Sequence, residues 1–125
     1  MNFSEKTVIT LTLVHRISHL PAQSWTFKDK PVICIGRSTD NDVILHSAVV
    51  SRHHLELQCR GCRWKIINLG SNGTYFADRP ITEASVENGM ILQLARSGPQ
   101  LQIHIKGMVF KNVAFTAADQ TLLVV

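Results

Sequence analysis

Cysteine is scarce in this 125-residue chain: Cys34, Cys59 and Cys62 are odd in number and too few for a secreted disulfide framework. Long apolar runs are missing too, and no stretch approaches the roughly 18 apolar residues of a spanning helix. Met1 to Val14 places Glu5 and Lys6 before an alternating run, where a signal peptide needs an unbroken apolar core. These absences predict a cytoplasmic protein that does not enter a membrane. Aromatic residues are only 6% and no two Lys or Arg residues are adjacent, which argues against a nucleic-acid stacking platform or arginine-rich arm. The balance of 13 Lys+Arg against 9 Asp+Glu gives a net charge of +4, which allows an anionic partner. With 45% hydrophobic and 18% charged residues, the composition is that of one globular domain.

No window keeps a helical apolar stripe beyond a turn or two. What recurs is period two: Ile9, Leu11 and Leu13; Leu55, Leu57 and Cys59; Leu101, Ile103 and Ile105. That spacing marks half-buried strands. Turn signals separate the runs, at 38–42, Arg60-Gly61, Gly70-Ser71-Asn72-Gly73, Asn88-Gly89 and Ser97-Gly98-Pro99. Strands are predicted at 7–14, 24–28, 31–35, 43–45, 53–59, 62–68, 73–76, 80–82, 90–95 and 100–105. The expected fold is an all-β, two-sheet antiparallel β-sandwich over residues 1–106. Residues 107–125 form an extension or an additional strand, apolar enough to pack on the sheet or on a second copy.

Several chemistries are excluded by spacing. Cys59-Arg60-Gly61-Cys62 has the CxxC form, but no second pair supplies the four ligands of a zinc site, and flanking strands make it a hairpin end. His53 and His54, adjacent at a strand start, point to opposite faces and cannot share a metal. Asp40-Asn41-Asp42 fails as a calcium loop because Ile44 and Leu45 fall where an oxygen ligand and a glycine are required. Ser51 and His54 lack a carboxylate to orient a base. No phosphate-binding loop or dinucleotide fingerprint exists. The expectation is a non-enzyme without metal or cofactor.

Three loop segments carry the remaining signal. Gly36-Arg37-Ser38 follows an apolar strand, Ser51-Arg52-His53-His54 precedes one, and Gly70-Ser71-Asn72-Gly73-Thr74 lies between two others. The ordered set, with Trp64 on the strand before the third loop, resembles the forkhead-associated (FHA) domain over residues 31–105, three fifths of the chain. The resemblance implies a sandwich of about eleven strands whose apical loops bind phosphothreonine peptides. It assigns the phosphate to Arg37 and Ser51, and a phosphate or peptide-backbone contact to Arg52. Ser71 and Asn72 shape the threonine slot and hold the ligand main chain. Gly36, His54 and Gly73 support the site, His54 through internal hydrogen bonds.

The physical requirements agree with that assignment. A phosphate ester carries about −1.5 to −2 charge and three acceptor oxygens. An arginine fork offers it two parallel donors. The implied partners are phosphothreonine segments of Ser/Thr kinase substrates in signalling, read by His46 and Arg79 at the position that sets specificity. The alternative is a phosphate-independent interaction scaffold on the same sandwich. Asn68, Ala77 and Met90 depart from the family pattern; Ala77 predicts weaker affinity or an altered peptide choice. Thr116, three residues before Asp119, suggests self-association through the tail.

Overall fold

The computed structural model describes residues 7–61 and 63–107. Among these residues eleven strands form two sheets. The first six in chain order are β1 (Val8–Val14), β2 (Pro21–Lys28), β3 (Val32–Gly36), β4 (Val43–Ile44), β5 (Leu55–Arg60) and β6 (Arg63–Asn68). Then come β7 (Thr74–Phe76), β8 (Arg79–Ile81), β9 (Glu83–Ser85), β10 (Ile91–Leu94) and β11 (Gln100–Lys106). One sheet has the order β2-β1-β11-β10-β7-β8 and the other β4-β3-β5-β6-β9. No helix among the described residues is long and apolar enough to cross a membrane.

The alternation that predicts the strands also builds the core. Ile9, Leu11, Leu92, Leu94, Leu101 and Ile103 turn inward from one sheet and meet Ile33, Ile35, Leu55, Leu57, Trp64 and Ile66 from the other. All are buried, and each large aliphatic side chain so removed from water contributes roughly 1.5–3 kcal/mol. Thr10 and Thr12, between the inward residues of β1, bond across the outer face to Thr26 and Ser24 of β2.

Several details differ from the expectation. β4 runs parallel to β3, so this sheet is mixed (Ile35↔Val43, Gly36↔Ile44). β9 was not predicted, because Glu83-Ala84-Ser85 offers a single small apolar residue to the core. The β5–β6 hairpin pairs Arg60 with Arg63, so Arg60 belongs to the strand and the turn begins at Gly61; Cys62 lies outside the described residues. The expectations about the tail, including Thr116, fall on 108–125 and also lie outside them.

Strand pairing brings five loops to one end of the sandwich. Ile35 pairs with Leu55 and Leu55 with Asn68, which aligns the ends of β3, β5 and β6. In the other sheet Leu94 pairs with Thr74 and Val14 with Gln100, which aligns the loops at 15–20, 69–73 and 95–99. The opposite end holds Val8 beside Lys106.

The β7–β8 hairpin explains Ala77. Phe76 pairs with Arg79 across two residues, Ala77 (φ 50) and Asp78 (φ 65). Positive φ at both positions defines a type I′ turn, which prefers Asn-Gly. Alanine has no side-chain group to offset the left-handed strain. Ala77→Asn should therefore raise stability by about 0.5–1 kcal/mol, read from the urea midpoint; an unchanged or lower midpoint would contradict the turn assignment.

Candidate functional site

Gly36 ends β3 where the 37–42 and 45–54 loops meet. A Cβ there would stand 2.2 Å from the Arg52 carbonyl oxygen, so only glycine permits the approach. Past it the backbones zip together: the Arg37 N–H donates to the Ser51 carbonyl (3.0 Å) and the Ser38 N–H to that of Arg52 (3.1 Å). The buried Asn41 amide closes the corner by donating to the carbonyls of Ser38 (2.8 Å) and Arg52 (2.7 Å). Arg37 is thus set beside Ser51, and its Nε donates to the Val50 carbonyl at 2.9 Å. Among the described residues its two terminal nitrogens make no hydrogen bond, and neither does the Ser51 hydroxyl. A guanidinium anchored at Nε presents its outer fork to the outside.

His54 is completely buried and holds the loops from below. Its Nδ1 accepts from the Ser51 N–H (3.0 Å), so the ring proton resides on Nε2, which donates to the Gly73 carbonyl (2.8 Å). Its own N–H donates to Ile35, and its carbonyl receives Leu69 and Gly70. Gly70 lies flat on the ring, where a Cβ would be 2.6 Å from Nδ1. Burial pushes the imidazole pKa below its ordinary 6.5, and the Gly73 carbonyl opposes that shift more weakly. With Nδ1 committed to a backbone N–H, His54 cannot draw a proton from the Ser51 hydroxyl.

The 69–73 loop is tied from three sides. The Asn68 Oδ1 accepts from the Gly70 N–H and from the Thr74 hydroxyl, while its Nδ2 donates to the Gly70 carbonyl. An aspartate here would lose that last bond, so Asn68 is a scaffold residue. Met90 is likewise internal, its sulfur receiving the Glu87 N–H. The Gly73 carbonyl takes a second donor from Ala95 (2.8 Å), which joins the two sheets at the apex. Asn72 Nδ2 donates to the Val49 carbonyl (2.9 Å) and so bridges to the loop that carries Ser51.

Arg37, Ser51, Arg52 and Asn72 are therefore gathered by the fold, with Gly36, His54 and Gly73 as their supports. Ser71 is exposed in the same loop as Asn72, and His46 is exposed in the loop of Ser51. Arg79 is set back from the apex, two residues along β8 from the Ile81 that pairs with Thr74. Sequence reasoning missed Asn41, whose turn-forming neighbours masked a buried organising role. It also missed Asp40, an exposed carboxylate 3.1 Å from His53 Nε2. Hydrogen bonds from Ser38 and His53 hold the Asp40 pKa below its ordinary value.

An FHA domain family model matches residues 33–95, half of the chain. The chain belongs to the FHA domain family. This FHA domain is 35% identical over 69 residues to the glycogen accumulation regulator GarA of Mycolicibacterium smegmatis, covering 54% of this chain and 44% of that protein. It is 32% identical over 69 residues to the oxoglutarate dehydrogenase inhibitor of Corynebacterium jeikeium, covering 54% of this chain and 48% of that one. The chain spans less than half the length of either relative. In fold it is similar to the Mycobacterium tuberculosis Rv1747 FHA-1 domain, with a TM-score of 0.67 at 24% identity over 80% of this chain and 97% of that one.

The His54 geometry gives a pH dependence. The folded pKa lies below the unfolded value, so between the two only the unfolded chain binds the proton, and stability falls as pH drops through 6.5. Ring ¹⁵N shifts should show a neutral Nε2–H imidazole that remains neutral just below pH 6.5 in the native protein, while the urea midpoint declines. A native His54 that protonates at or above that pH would refute the assignment. At Gly36, a methyl group should cost roughly 1–3 kcal/mol or more by forcing the two loops apart. Thermal unfolding of Gly36→Ala measures it, and a wild-type melting curve would count against the close approach.

Proposed function

We propose that this FHA domain is a binding module for phosphothreonine segments of Ser/Thr-phosphorylated partner proteins. It recruits them in cytoplasmic signalling and catalyses nothing. Arg37 carries the reading: its Nε is anchored on Val50 while its outer nitrogens, on an exposed side chain, have no hydrogen-bond partner among the described residues. In this reading the fork takes two phosphate oxygens and the Ser51 hydroxyl donates to a third acceptor. Arg52, exposed beside them, adds positive charge toward the phosphate or the ligand backbone. Asn72 is already oriented by Val49, and its Oδ1 is left to accept from the ligand main chain, with Ser71 next to it. His46 takes the role of a specificity reader more readily than Arg79, because it shares the loop of Ser51. The relatives that regulate glycogen accumulation or inhibit oxoglutarate dehydrogenase support partners that include metabolic enzymes.

A slot built of fixed backbone favours threonine over serine through one methyl group, worth about 1–3 kcal/mol. Titration of matched labelled peptides should show tighter binding of phosphothreonine than of phosphoserine, and no binding of the unphosphorylated form. Equal affinity for phosphorylated and unphosphorylated peptides would favour the phosphate-independent scaffold. Arg37→Ala should weaken phosphopeptide binding by at least about thirtyfold while the fold remains intact by circular dichroism. A folded variant of near wild-type affinity would remove Arg37 from the site.

A further inference from the structure

The apex extends beyond the three loops that gather around Arg37. The 95–99 loop abuts the site directly: a Cβ on Gly98 would stand 3.2 Å from Val49 Cγ2, and Val49 is the residue whose carbonyl holds Asn72. The 15–20 loop is attached to it in turn, through Arg16 Nη1 donating to the Ser97 carbonyl at 3.1 Å. Arg96 lies over the Tyr75 ring, 5.0 Å from its centroid. The five apical loops (15–20, 37–42, 45–54, 69–73 and 95–99) contain four arginines, no lysine and two carboxylates. Both carboxylates already have partners, Asp40 the His53 ring nitrogen at 3.1 Å and Asp42 the Lys30 ammonium at 3.3 Å. Among the described residues Arg16 and Arg96 form no ion pair with a carboxylate.

The same end is also unusually apolar. Three of the four exposed large hydrophobic side chains among the described residues stand in these loops: Ile17 (90% exposed), Leu20 (65%) and Leu69 (50%). Fixed arginines interleaved with exposed aliphatic side chains suit an acidic segment that also carries an apolar residue. They suit an anionic bilayer less well, since polybasic membrane patches use clusters of about four to eight freely placed cations.

We propose that the 15–20 and 95–99 loops form a second reading surface. It engages an acidic, apolar-containing stretch of the same polypeptide whose phosphothreonine occupies the Arg37 site, and it therefore rests on the phosphothreonine reading above. Sheet geometry sets the distance. From β7, beside the 69–73 loop, to β1 there are three ladder steps of about 4.8 Å, or about 14 Å, which an extended peptide spans in roughly four residues. The acidic residues thus lie about four to five positions from the phosphothreonine. Arg16 and Arg96 contact the carboxylates, and Ile17 covers the apolar side chain.

The test uses the 125-residue protein and a phosphothreonine peptide with a neutral background. An Asp-Asp-Leu cluster is moved stepwise along both sides of the phosphothreonine. On one side, at about four to five residues, it should tighten binding about three- to tenfold at low salt. The gain should shrink as ionic strength rises past about 0.15 M. The Arg16→Gln/Arg96→Gln variant should lose the gain and still bind the neutral phosphopeptide as the wild type does. A gain that persists in this variant overturns the proposal, as does equal weakening of the neutral peptide. Vesicles of phosphatidylcholine with phosphatidylserine form the other arm. If the substitutions release the protein from vesicles and leave the peptide series unchanged, the surface is a membrane contact and the proposal fails. If the neutral phosphopeptide itself does not bind the wild type, the phosphothreonine reading has failed first, a result that this control reports separately.

Discussion

One buried histidine, through its ring and its backbone, holds the apex together. His54 connects to Ile35 below the 37–42 loop, to Ser51 in its own loop, and to Gly70 and Gly73 in the 69–73 loop. No other residue among those described bonds to all three. The arrangement requires a neutral ring with its proton on Nε2, since one nitrogen must accept and the other must donate. A protonated ring would turn both nitrogens into donors and leave the Ser51 N–H facing another N–H. Burial favours the neutral form.

From that constraint follows the character of the surface above. Loops tied by backbone hydrogen bonds have little freedom left to lose, so a ligand bound there would meet a surface that is largely ordered beforehand. The cations are set in the same manner: Arg37 is fixed through Nε, Arg16 through Nη1 and Arg96 by a ring face. Lysine, with a flexible stem and a single point charge, would lose more entropy in such a role. The four arginines and the absence of lysine in these loops agree with recognition by geometry more than by bulk charge.

The parts of this structure legible in the sequence are those governed by short periods. Ile9 and Leu11, Leu55 and Leu57, and Leu101 and Ile103 alternate with polar neighbours, and each pair lies in the core. The clustering of Arg37, Ser51 and Asn72 was visible only through their ordered motifs, because the spacing between the loops carries no distance. β9 escaped notice since Ala84 is its one inward apolar residue. β2 starts at Pro21, earlier than expected, since an edge strand tolerates a residue without an N–H at its first position. The parallel β3–β4 pair involves two residues per strand, too few to leave a pattern. Asn41 and Arg16 illustrate the deeper limit. Their partners, Arg52 and Ser97, lie far along the chain, and the contacts exist only after the sheets have folded.

The pairing of β1 with β11 has a mechanical side. Val8 lies opposite Lys106, so the two ends of the sandwich emerge next to each other, on the face opposite the loops. Tension applied through these ends would load an antiparallel pair from one end and open its ladder one rung at a time, as in unzipping. Shear, which loads all rungs together, would demand pulling from opposite ends. Pulled in this way the pair would be a soft mechanical element, and the Val14–Gln100 rung, nearest the apical loops, would be the last of that ladder to part.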